Sequence, residues 1–186
     1  MRISRSVLRQ SYPFLFATGL GQMVAGLLFG GMENYLREAP GLIVLIPSMI
    51  GLRGNIGSAL ACRLGTATHL GFVSSEQIWN DRSRSEIWTS IVLSTFLSAM
   101  AGAVAYLSCL ALGVEHISLG FFMLISTATG VIAGTVLSFM TLSIIFYADK
   151  HGADPDNVAA PALATAADII TLGVLFLVII ASGVVS

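Results

Sequence analysis

An all-α membrane protein, built as a bundle of five transmembrane helices, is the fold class this sequence predicts, and three observations carry it. Hydrophobic side chains make up 55% of the 186 residues and charged ones only 10%, with a mean hydropathy of +0.87. A soluble domain carries about a quarter charged residues. Five apolar stretches reach the roughly 20 residues that a bilayer crossing needs. Small residues recur at helical spacing inside those stretches, which lets helix backbones approach closely in lipid.

The stretches cover residues 13–32, 41–64, 87–112, 117–147 and 160–185. The fourth is long enough to tilt or to project from the membrane. Arg2, Arg5 and Arg9 precede the first, Arg82 and Arg84 lie between the second and third, and Lys150 follows the fourth, against only Arg37 on the other side. The positive-inside rule then places the N-terminus in the cytoplasm and the C-terminus outside, in a multi-pass protein of the cell membrane. No cleavable signal peptide is expected, because the basic start runs straight into a segment of spanning length. No linker divides the chain, so residues 1–186 read as a single membrane domain. Its net charge of −1 singles out no soluble partner; lipid is the expected surroundings, and no nucleic acid is expected to bind.

Within the third stretch Ser90, Ser94, Ser98 and Gly102 recur every four residues, Gly130 and Gly134 form a GxxxG step in the fourth, and Gly19, Gly26 and Gly30 punctuate the first. These read as helix-packing surfaces, part of which is open to a dimer contact. Cys62 and Cys109 lack a CxxC pairing and read as small buried hydrophobes. Trp79 and Trp88 read as interfacial anchors, and residues 74–86 as a cytoplasmic loop or short surface helix.

Asp168 stands apart. From Pro161 to Val185 it is the only ionisable side chain. An aspartate at the bilayer centre costs roughly 2.5–3.5 kcal/mol, so such residues face a bundle interior or a wet path. At 100° per residue, Asn157, Pro161, Ala164, Thr165, Asp168 and Thr171 share one sector, while Ile169, Ile170, Val174 and Leu177 point elsewhere. That stripe suits a helix lining a pore. A structural pairing of Asp168 with Arg53 is the alternative. Upstream, Asp154-Pro155-Asp156-Asn157 and nearby Asp149 either concentrate cations at a cytoplasmic mouth or form a solvated turn that starts the helix.

The second stretch holds Pro47, Gly51, Arg53, Gly54, Asn55 and Gly57. Proline and glycines in one apolar segment predict a broken or kinked helix, whose freed carbonyls and Asn55 side chain would serve as oxygen donors.

Both segments resemble a known family. Pro47 to Gly71, with Gly51-Leu52-Arg53-Gly54-Asn55 and then Ala61-Cys62-Arg63-Leu64-Gly65-Thr66-Ala67, is similar to the signature of the MgtE-type magnesium transporters, closest to their eukaryotic solute-carrier branch. Asp154-Pro155-Asp156-Asn157, followed by Pro161, Thr165 and Asp168, resembles that family's pattern entering its last transmembrane helix. The resemblance implies a two-fold homodimer with a central pore lined by the second and fifth helices of both subunits. It implies a magnesium site to which Asp168 contributes, with the Gly54-Asn55 turn nearby. Gly51, Thr165 and Asn157 join them along the ion path; Asp149, Asp154 and Asp156 stand at the cytoplasmic mouth. Glu33 reads as an interfacial anchor or as an attractor of cations at the outer mouth. Bacterial members carry a cytoplasmic sensor with CBS domains, and none is expected here. The eukaryotic branch fuses two membrane repeats where this chain supplies one, so a second copy is the simplest partner. Ala160 stands where bacterial members tend to have a polar residue.

Magnesium keeps several waters and uses one or two carboxylates, which suits a pair of Asp168 residues. His69, His116, His151 and the sulfur residues are scattered, which argues against a zinc or copper cage, and no cofactor is expected. With no Walker motif, flux driven by gradient and membrane potential is the expected mode. The alternative is a proton- or sodium-coupled divalent-cation exchanger, followed by a structural subunit of a membrane complex. An intramembrane enzyme would need paired catalytic groups that the chain lacks, so no enzymatic activity is expected.

Overall fold

The computed structural model describes residues 2–73, 78–150 and 155–184, except for the side chains of 2–15 and 155–162. Six helices follow one another: α1 (Arg2–Gly31), α2 (Glu33–Glu38), α3 (Leu42–His69), α4 (Asp81–Leu112), α5 (Leu119–Lys150) and α6 (Pro155–Ser182). The described residues contain no strand. By length and composition α3 to α6 can each cross a membrane, whereas the apolar part of α1, Phe16–Gly31, is shorter. Each of the five expected segments is therefore a helix. The short α2 was not expected. It seats Leu36 in the core and exposes Glu33 and Arg37.

Local chemistry sets the helix ends. Asn80 Oδ1 accepts from the Ser83 N–H at 2.9 Å, and Ser83 Oγ accepts from the Asn80 N–H at 3.1 Å. This reciprocal cap, with Asp81 in the first turn, starts α4 earlier than hydropathy alone indicates. The end of the expected loop thus becomes helix and carries Glu86 into the bundle. Gly113 ends α4 at φ 66°, a left-handed position that glycine occupies without a Cβ clash.

Of the broken or kinked helix expected in the second span, the break does not occur: α3 runs from Leu42 to His69 without interruption, Pro47 inside it. Gly51, Gly54 and Gly57 keep negative φ; among the described residues the positive-φ glycines are Gly71, Gly113 and Gly183. Pro47 lies in the second turn, where its missing N–H deprives only the Ile43 carbonyl of a helical donor. Proline and glycine are tolerated within membrane helices where neighbouring groups or local adjustments of the helix re-satisfy the backbone. The Gly54-Asn55 turn is therefore a helical turn, and its carbonyls are not set free.

α6 packs against α1, α3 and α5, and α4 against α3 and α5. One apolar cluster gathers Met32, Leu45, Met49, Phe122, Ile125, Leu172, Leu175 and Ile179. A second gathers Leu60, Leu64, Ile87, Leu142 and Leu163. Between α4 and α5 the small-residue stripes interlock, with Ser90, Ser94, Ser98 and Gly102 all buried. A Cβ added to Gly102 would lie 2.8 Å from the Phe122 carbonyl oxygen, and one on Gly134 would lie 2.9 Å from Ser94 Cβ. The reading of these residues as a packing surface holds for this helix pair. By contrast, a Cβ on Gly19, Gly26 or Gly30 of α1 meets nothing within 4 Å. Trp79 stacks on Phe139 with ring centroids 5.9 Å apart, while Trp88 is exposed. Cys109 is buried, but Cys62, expected to be buried, is exposed on α3.

Gly134→Val is expected to reduce stability by about 1–3 kcal/mol through overpacking. The readout is the thermal midpoint of the purified protein in detergent, and an unchanged midpoint would contradict so close a helix contact.

Candidate functional site

Asp168 lies half-buried near the middle of α6. Its Oδ2 accepts a hydrogen bond from Gln22 Nε2 on α1. The helices close tightly here, since a Cβ on Gly21 would run into the Thr165 side chain. One helical face carries Thr165 and Asp168 and then continues as Leu172, Leu175 and Ile179, which are buried. Asp168 thus marks the level at which that face changes from apolar packing to polar side chains. Ala164 is exposed, in keeping with the expected stripe. Thr171 departs from it, being fully buried with a hydroxyl that has no partner among the described residues. Asn157 and Asp156 belong to the first turn of α6, but their side chains, like all of Asp154, lie outside the described residues.

On α3, Ser48, Gly51, Asn55, Ser58, Ala59 and Cys62 form an exposed face, with Gly54 half-buried beside it. A Cβ on Gly51, Gly54 or Gly57 would meet nothing within 4 Å. Packing within the protomer therefore does not account for these glycines. Asn55 is exposed, and Gln22 rather than Asn55 bonds Asp168.

Arg53 points to the opposite side of α3 and is 1% exposed. The alternative pairing with Asp168 does not form. Its Nη1 donates to Ser94 Oγ and, at 3.1 Å, to the Gly130 carbonyl. Its Nη2 donates to Ser98 Oγ and, at 3.3 Å, to the Ser94 carbonyl. Ser94 Oγ in turn donates to the Gly130 carbonyl at 2.9 Å. The glycines make room for the guanidinium, since a Cβ on Gly134 would stand 2.8 Å from Nη1 and one on Gly130 3.3 Å from Nη2. The serine stripe of α4 therefore does more than pack. Its signal in the sequence was an intramembrane arginine without an acid of its own, opposite hydroxyls at i, i+4, i+8.

Ion pairs form elsewhere around Glu86 and Glu33. Glu86, only 10% exposed at its side chain, binds Arg63 at 2.6 Å and Arg82 at 2.9 Å. Glu33 is exposed and pairs with Arg37 at 2.6 Å. Both line an open groove of about 450 Å³ between the end of α1 and the start of α3. Asp149 lies at the end of α5 beside Thr68, Val73 and Ile78. Among the described residues no three His, Cys, Asp or Glu side chains gather as a ready-made metal cage.

Residues 46–178 match the family model of MgtE, described as divalent cation transporter. The chain belongs to this family. The match includes both the Pro47–Asn55 segment and the Asp154–Asp168 segment, and leaves α1 outside. Solute carrier family 41 member 3 of Rattus norvegicus is 30% identical over 171 residues, which cover 88% of this chain and 36% of that protein. Its Mus musculus counterpart is 32% identical over 170 residues, covering 89% and 34%. Solute carrier family 41 member 2 of Homo sapiens is 30% identical over 171 residues, covering 88% and 29%. The chain thus spans about a third of the length of the curated relatives it matches. No solved structure matches it. Members of the MgtE family are transporters rather than enzymes.

Lysine cannot reproduce the fork by which Arg53 reaches two serines and two carbonyls. Arg53→Lys is expected to lower stability by about 1–3 kcal/mol, read by thermal unfolding in detergent. A variant as stable as the parent would refute the cradle.

Proposed function

We propose that this chain is the membrane domain of a divalent-cation transporter with magnesium as its cargo, and that Asp168 binds the ion. The position of Asp168 carries this reading. It is the one ionisable group of its apolar segment, half-buried at mid-helix, within the stretch that matches a family of divalent cation transporters. A lone carboxylate of this kind suits magnesium, which dehydrates reluctantly and needs only one or two carboxylates beside its waters.

The pore in this proposal lies between two copies of the chain. The exposed face of α3, from Ser48 through Gly51 and Asn55 to Cys62, is small and polar, and lipid is a poor solvent for it. A second copy covers that face across a two-fold axis, bringing Gly51, Gly54 and Asn55 of both protomers towards a path that Thr165, Asp168 and Asn157 line from α6. Asp149, Asp154 and Asp156 sit at the cytoplasmic mouth, where they raise the local cation concentration, and Glu33 at the outer one. The N-terminus lies in the cytoplasm of a cell-membrane protein, because basic residues gather at that end and in the first turn of α4. Residues 1–186 act as one membrane domain. A proton- or sodium-coupled exchanger is the second reading, since a single intramembrane acid can bind a proton as well as a metal.

Magnesium uptake into proteoliposomes, under an imposed membrane potential and without a proton or sodium gradient, tests both. Wild-type protein is expected to take up the ion, and Asp168→Asn to lose at least about tenfold of the flux, the equivalent of about 1.4 kcal/mol. Undiminished flux in Asp168→Asn would remove the ion-site assignment. Uptake that appears only when a proton or sodium gradient is added would favour the exchanger.

A further inference from the structure

Among the described residues Gln22 is the one side chain that bonds Asp168, and it lies on a helix outside the family match. Two observations make the contact a built one. Its carboxamide nitrogen donates to Oδ2 of the carboxylate. The residue before it, Gly21, has no room for a Cβ against Thr165, one helical turn before Asp168 on α6. A side chain at position 21 would force the Thr165 methyl group aside or move α1 on this face.

We propose that Gln22 competes with a bound ion for one oxygen of Asp168 and so makes the site discriminate against calcium. The inference rests on the reading of Asp168 as the ion site. With one lone pair of Oδ2 engaged by the amide, Oδ1 is the oxygen that the ion meets without competition. Magnesium needs no more: its octahedral shell, with oxygens at about 2.0–2.1 Å, is completed by waters that it gives up reluctantly. Calcium takes about 6–8 oxygens at about 2.3–2.6 Å and often fills that larger shell with a carboxylate bound through both oxygens. To chelate calcium through both oxygens, Asp168 has to share Oδ2 between the ion and the Gln22 amide, which weakens that hydrogen bond. The amide therefore penalises the ion that wants two oxygens and leaves unpenalised the ion that wants one.

Uptake of magnesium and of calcium is measured separately in proteoliposomes of the full chain, for wild type, Gln22→Met, Gln22→Glu and Asp168→Asn. Methionine keeps the length of the side chain and removes the donor. The calcium-to-magnesium uptake ratio is expected to rise about fivefold or more in Gln22→Met, on the scale of one hydrogen bond. It is expected to rise further in Gln22→Glu, which adds a second carboxylate. A purely packing role for Gln22 lowers both fluxes in proportion; an unchanged ratio overturns the proposal. Should Gln22→Met carry neither ion, the ratio of calcium to magnesium concentrations that protects it from thermal unfolding in detergent replaces the flux ratio. An unshifted protection ratio again overturns the proposal. Loss of flux in Asp168→Asn with an unchanged ratio in Gln22→Met removes this inference alone. Full flux in Asp168→Asn removes the ion-site reading and this inference together.

Discussion

The guanidinium of Arg53 sits where α3, α4 and α5 meet, with two serine side chains and two backbone carbonyls taking the place of water. A charge at membrane depth is tolerated only when the protein solvates it, and the sequence around Arg53 is arranged to do so. Ser94 and Ser98 supply oxygens one turn apart. Gly130 and Gly134 remove side chains that would fill the space. The apolar clusters lie to either side, with Met49 in one and Leu60 in the other on the same helix. Once Arg53 is turned inward, the rotation of α3 about its own axis is set. Residues two positions away lie about 200° round the helix, so Gly51 and Asn55 must face out of the protomer.

The acid is handled differently. Asp168 is left half-buried and held by an uncharged amide. An arginine partner would have cancelled its charge inside the bundle. Keeping Arg53 among neutral oxygens, away from Asp168, leaves the carboxylate free to attract a cation. The fixed positive charge and the negative one therefore have separate tasks, the first structural and the second open to a ligand.

Much of this was legible in the sequence. Five apolar stretches became five helices because lipid admits few other backbone solutions. The four-residue repeat of Ser90, Ser94, Ser98 and Gly102 announced a close helix contact, and α4 and α5 make it. Helix ends were less legible, since the start of α4 depends on a cap between Asn80 and Ser83 rather than on hydropathy. The break expected in α3 followed from glycine and proline propensities measured against water, whereas in lipid an opened backbone is costlier than a continuous helix that contains them. Gln22 gave no signal at all. A single amide in an apolar segment has no period or motif, and its partner lies 146 residues further along the chain.

The interlocked contact of α4 and α5 also bears on movement. With Ser94 and Ser98 pressed against Gly134 and Gly130, and Arg53 threaded between them, neither helix can roll without a collision of backbone and side chain. These two helices and α3 form the stiff part of the molecule. α1 has no comparable anchorage: apart from a brief contact with α2, it meets the bundle through α6. The close α1–α6 seam that contains Asp168 is therefore the main attachment of α1 to the bundle.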